Sequence, residues 1–128
     1  HMTVVENIMF PLTVGENKIK KAEAKKISQE YMKLTNIEEL QDKKPGTLSG
    51  GQQQRIAIAR ALINQPRIIL ADEPTGNLDS ENSRRVIDLL KQTTNEYGMT
   101  LLMVTHDADI AKQADHCIHL VDGRIQQN

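Results

Sequence analysis

Two short apolar runs, Ile68-Ile69-Leu70-Ala71 and Thr100 to Val104, are each closed by a polar group: Asp72-Glu73-Pro74 after the first, Thr105-His106-Asp107 after the second. Runs this brief are too short for buried helices and read as buried strands. Between them Val86, Leu89, Leu90, Thr93 and Tyr97 fall on one side of a helical period, with Asp79 or Ser80 placed to cap the start and Gly98 to close the end. Strand, helix, strand in that order implies a right-handed parallel crossover, and so an α/β chain. In such a unit both polar groups arrive at the carboxyl edge of the sheet, where ligands of α/β folds gather.

The flanking sequence is read in the same terms. A later strand is expected through Cys117 to Val121, with Cys117 in the core. Asp122-Gly123 then turns the chain back through Arg124 and Ile125 as a hairpin. Upstream, residues 4 to 10 are largely apolar and end at Pro11, and the polar stretch from Thr13 to Lys18, containing Gly15, reads as a connection. Ile19, Ala22, Ile27, Tyr31 and Leu34 recur among lysines and glutamates as an amphipathic helix over Lys18 to Leu34, its lysine-rich face solvated. A second helix starts at Gly50 or Gly51, runs through Arg55 to Ile63 and is stopped by Pro66. There is no internal repeat and no low-complexity tract.

Composition narrows the function classes. The 128 residues suit one domain, able to bury roughly two thirds of its unfolded surface. Lysine plus arginine total 16 against 17 aspartates and glutamates, so no field of one sign favours nucleic acid or an anionic membrane. One cysteine cannot form an internal disulfide and fits a reducing compartment. No apolar run approaches the roughly 18 residues needed to span a bilayer, and the first residues lack the layout of a signal peptide. The expectation is a soluble, cytoplasmic protein. His1-Met2 reads as the remnant of a cleaved tag, with the natural sequence beginning at or near Thr3.

Three segments carry chemistry. In Leu48-Ser49-Gly50-Gly51-Gln52 paired glycines free backbone amides to approach an anion at the positive end of a helix, although Gly-Gly alone also suits a plain turn. Asp72 and Glu73 are delivered by a strand to its carboxyl end. There Asp72 can hold Mg²⁺ and Glu73 can polarise a water that attacks a terminal phosphate. The competing reading, that these acids cap the next helix, is weakened by the intervening Pro74 and Gly76. His106 shares that edge and can contact a γ-phosphate, or it can simply be a surface residue paired with Asp107. His116 and His119 stand an odd number of strand positions apart and point to opposite faces, against a joint metal site.

Taken together, LSGGQQQR at 48–55, IILADEPTGNLD at 68–79 and THD at 105–107 resemble the nucleotide-binding domains of ABC transporters. The TGNLD variant is similar to the exporter and lipoprotein-release branch. The resemblance implies an incomplete P-loop NTPase (RecA-like) core with parallel strands plus an α-helical signature subdomain. Residues 3–66 would form that subdomain and residues 67–128 the distal half of the core. It implies that Ser49, Gly50, Gly51 and Gln52 form the signature that reaches ATP bound by an opposing subunit. Asp72 would be the magnesium-binding Walker B aspartate, Glu73 the catalytic carboxylate, Asp79 the D-loop aspartate at the dimer interface and His106 the switch histidine. ATP and Mg²⁺ are the implied cofactors. The implied partners are a second nucleotide-binding subunit and transmembrane permease domains, which would place the protein at the inner face of the cell membrane without spanning it.

The chain contains no G-x-x-x-x-G-K-[ST]. Gly46 and Gly51 have the right separation, but Gln52 and Gln53 replace the lysine and hydroxyl that such a loop needs. The resemblance puts that loop, the adenine-stacking aromatic and the Q-loop upstream of Thr3; Phe10, Tyr31 and Tyr97 are the only aromatics here. It also places the strand leading into the missing loop between the His106 strand and the Cys117 strand. An unpaired gap is therefore expected, closed by rearrangement or by a second copy. The expectation is an ATPase subunit whose 128-residue portion is inactive alone. The alternatives are a non-hydrolytic partner supplying the signature in trans, or a soluble ABC ATPase not involved in transport.

Overall fold

The computed structural model describes residues 1–126. In chain order it contains α1 (Val4–Thr13), α2 (Lys21–Leu34), α3 (Gly50–Leu62), β1 (Ile68–Asp72), α4 (Ser80–Glu96), β2 (Thr100–Val104), a single turn α5 (Ala108–Ala111), β3 (Leu120–Val121) and β4 (Arg124–Ile125). Two short 3₁₀ segments, Glu38–Leu40 and Pro45–Thr47, lie between α2 and α3.

Side chains cap the starts of α1, α3, α4 and α5, whereas Lys20 makes no capping hydrogen bond before α2. Thr3 opens α1 with a capping box: its hydroxyl accepts from the Glu6 N–H at 3.4 Å, and Glu6 Oε2 accepts from the Thr3 N–H at 2.8 Å. The sequence pattern Thr-x-x-Glu at 3–6 announces this cap. Pro11, expected to end the apolar run, lies inside the last turn of α1. Its fixed φ is compatible with the helix, and burial of Val4, Val5, Ile8 and Met9 holds the helix through it. Asp79 caps α4, accepting from the Asn82 N–H at 2.8 Å, and Gly98 follows its end with φ +65°.

The core gathers Val4 and Ile8 of α1, Tyr31 and Met32 of α2, Ile37 and Leu40 at the first 3₁₀ segment, Ile56 and Leu62 of α3, Ile69 of β1, and Val86 and Leu90 of α4. Each such side chain contributes about 1.5–3 kcal/mol on burial. β1 and β2 pair in parallel with Ile68 opposite Thr100 and Asp72 opposite Val104, as the crossover required. Glu73 prolongs the ladder, its N–H donating to the Val104 carbonyl at 2.8 Å.

Three expectations are corrected. The strands are not buried on both faces: Ile69 packs inward, but Leu70 is 75% exposed and Ile68, Leu102 and Val104 lie on the same open side. Residues of one sheet face alternate in sequence, and only the face toward α4 and the helices is covered. Cys117 is exposed rather than core, because the strand expected from it begins only at Leu120. Tyr97, assigned to the buried side of α4, is exposed at the helix end and stacks on Tyr31 with ring centroids 6.5 Å apart.

The Asp122-Gly123 hairpin forms as read, with φ +49° and +72° at its two turn residues and Leu120 opposite Ile125. Among the described residues β1–β2 and β3–β4 are separate two-stranded sheets, so the expected gap beside β2 is present and no rearrangement of the chain fills it.

Candidate functional site

Parallel pairing of β1 and β2 brings their carboxyl ends side by side, and with them the two polar groups that follow. His106 Nε2 lies 3.3 Å from Glu73 Oε1. The imidazole is 95% exposed and the glutamate side chain 34%, so the pair sits at a surface with the carboxylate recessed and the histidine above it. Close as they are, the two do not form a hydrogen bond; Glu73 Oε1 is a buried oxygen without a hydrogen-bond partner among the described residues. A carboxylate oxygen withheld from water without a donor is costly, and it is suited to accept from a group brought in from outside.

Backbone geometry reinforces this. Glu73 has φ +46°, a left-handed conformation rare outside glycine, asparagine and aspartate. It is held there by its own N–H on the Val104 carbonyl and by its carbonyl, which accepts from the Gly76 N–H at 3.1 Å. A Cβ on Gly76 would lie 3.4 Å from that carbonyl oxygen, so the turn packs against the residue at van der Waals distance. Asp72 is exposed at the end of β1 and makes no ion pair among the described residues. An open carboxylate beside a recessed one fits the donor set for a hydrated Mg²⁺ at Asp72.

Asp107 does not pair with His106. Its Oδ1 accepts from the Asp109 and Ile110 N–H groups at 2.9 and 3.2 Å, capping α5, and its own N–H donates to Thr105 Oγ1 at 3.0 Å. The simple reading of His106 as the partner of its sequence neighbour therefore fails.

The glycine segment forms a second group. Ser49 caps α3 through a capping box: Gln52 N–H donates to Ser49 Oγ at 3.2 Å, and Ser49 N–H donates to Gln52 Oε1 at 3.1 Å. Gly50 faces Leu78 and the Asn77 carbonyl, and Gly51 is buried against Asn82. Asp79, at the start of α4, accepts from Asn82 with both carboxylate oxygens. Ser49 to Gln52 and Asp79 are thus brought into one neighbourhood. Among the described residues no hydrogen bond joins that group to the Glu73–His106 pair. Asn82 was missed by sequence reasoning; its only signal is its place three residues after the Asp79 cap.

A family model described as ABC transporter matches residues 1–76, more than half of the chain. The chain belongs to the ABC transporter family. The relatives of this ABC transporter chain agree in kind. It is 43% identical over 124 residues to the lipoprotein-releasing system ATP-binding protein LolD of Francisella tularensis, with 97% of this chain and 53% of that protein covered. With LolD of Syntrophotalea carbinolica it shares 46% over 123 residues, covering 96% and 53%. Among solved structures, the dimeric bacterial ABC transporter cassette MJ0796 superposes with a TM-score of 0.83 at 42% identity, covering 98% of this chain and 55% of that one. CbiO1 of Clostridium perfringens gives 0.88 at 32% identity, covering 98% and 50%. The fold is accordingly that of the ABC ATPase cassettes, a P-loop NTPase fold, and the chain spans about half the length of the relatives it matches. No helix among the described residues is long and apolar enough to cross a membrane.

Proposed function

We propose that this ABC transporter ATP-binding chain carries the hydrolytic and signature parts of a subunit that hydrolyses ATP to power movement of a solute across a membrane. The observation that carries the reading is the recessed, unpartnered Glu73 Oε1 set 3.3 Å from His106 at the carboxyl edge of parallel strands. In this reading Glu73 orients and polarises the attacking water while His106 contacts the γ-phosphate. Asp72 would hold Mg²⁺, which when bound neutralises charge on the phosphates. Ser49, Gly50, Gly51 and Gln52 present an N-terminal helix turn to ATP held by a second nucleotide-binding subunit, with Asp79 at the same contact. Residues 3–66 serve as the signature subdomain and 67–128 as part of the catalytic core. Permease domains would complete the assembly at the inner face of the membrane. The likeness to LolD supports a lipoprotein-release type of transporter.

The test is kinetic. The 128-residue chain, having no phosphate-cradling G-x-x-x-x-G-K-[ST], is expected to show no MgATP turnover. The subunit extended by a strand and that loop is expected to hydrolyse ATP and to lose about 100-fold or more with Glu73→Gln. Turnover that survives Glu73→Gln undiminished would overturn the assignment of Glu73.

A further inference from the structure

We propose that Asn82 is a positioning residue for the signature segment, and that Asn82 is what disfavours a side chain at Gly51. The inference rests on the functional reading above for its catalytic meaning, and on contacts alone for its structural part. Asn82 is fixed at two points: its N–H donates to Asp79 Oδ1 at 2.8 Å, and its Nδ2 donates to Asp79 Oδ2 at 3.1 Å. The side chain therefore cannot swing aside without giving up a bond to the Asp79 carboxylate, and that carboxylate is also the cap of α4. Its amide lies directly over α3: a Cβ at Gly51 would come within 3.1 Å of Asn82 Oδ1 and 3.2 Å of its Cγ. Those separations are tighter than most contacts a Cβ makes, so the Asn82 amide would have to give by a few tenths of an ångström. At Gly50 the same construction meets Leu78 Cδ2 at 3.5 Å and the Asn77 carbonyl oxygen at 3.9 Å, both ordinary van der Waals contacts.

The two glycines are thus unequal. Gly50 has room for a methyl group, whereas a methyl group at Gly51 would press on an amide that is itself held on Asp79. One side chain consequently ties the first turn of α3 to the first turn of α4, so the signature and the aspartate of the following loop keep a fixed spacing. A displacement of about 1 Å in such a segment is enough to cost catalysis heavily.

The first test is a double-mutant cycle in urea on the 128-residue chain, comparing Gly51→Ala, Asn82→Ala and the double variant, with Gly50→Ala as control. Gly51→Ala is expected to lower the midpoint by about 0.5 M. Its effect should shrink by at least half in the Asn82→Ala background, and Gly50→Ala should move the midpoint less than Gly51→Ala. Additive shifts in the cycle overturn the contact. The second test uses the intact subunit. Asn82→Ala is expected to lower kcat roughly ten-fold at unchanged KM for MgATP, and Asn82→Ser, whose hydroxyl can still reach Asp79, to restore part of it. An unchanged kcat, or a loss confined to KM, overturns the positioning role. Should the unaltered subunit fail to hydrolyse ATP, the reading under Proposed function falls, and the urea cycle still decides the Asn82 contact.

Discussion

Acidic residues of one chemical type take three different parts here, and their surroundings decide which. Asp107 spends its carboxylate on the N–H groups of α5, Asp79 on Asn82, and Glu73 keeps a buried oxygen without a donor. The sequence placed Glu73 and His106 on one sheet edge because strand ends and parallel order are written in short apolar runs. It could not say that Asp107 would turn away from His106, since a capping bond depends on whether a helix turn follows. Glu6 offers a separate test. The Thr3 backbone N–H, then the Thr3 hydroxyl, with Lys44 and Lys21 adding, hold its carboxyl below the ordinary value against the opposing effect of burial. A lowered folded-state pKa contributes stability that is present above the unfolded value and is lost as pH falls through the folded one. The urea midpoint of the unaltered chain should therefore exceed that of Glu6→Gln near neutrality, and the difference should fade in acid. Thr3→Ala should cost about 1 kcal/mol by the same measurement, because it removes the hydroxyl half of the cap.

Among elements, α4 was the most legible. Its cap, its apolar face and its closing glycine all appear in the sequence, and Val86, Leu90 and Thr93 are buried as read. Leu90→Ala is expected to cost about 2–5 kcal/mol in equilibrium unfolding. Tyr97 departs from the pattern because it lies just beyond the helix, where the face no longer turns with the period. The strands were legible in position and pairing but not in burial. Apolar content reports that a face can be covered, whereas coverage depends on what lies against it, and only one face of β1 and β2 meets helices here. Cys117 shows the same limit at a strand end: apolar neighbours Ile118 and Leu120 suggested a longer strand, yet pairing begins at Leu120, and Ile118 and Leu120 are themselves exposed.

For the molecule as a whole, β1 and β2 leave one side open and, among the described residues, β2 keeps a free edge. Leu70, Leu102 and Val104 with Ile68 form an apolar surface beside unpaired backbone donors and acceptors, a combination that recruits further strands. Light scattering on the 128-residue chain is expected to show a mass that rises with concentration through pairing of copies along this edge. Leu102→Lys, on the exposed face of the edge strand, should shift the rise to higher concentration. The positive φ of Glu73 has an evolutionary consequence. Glycine at that position would release backbone strain on the order of 1–3 kcal/mol, so under the proposed role of Glu73 the sturdier protein and the working one would differ at a single codon. Descendants released from any need for the carboxylate should drift to glycine or asparagine at 73, and a glutamate kept there marks selection acting against stability.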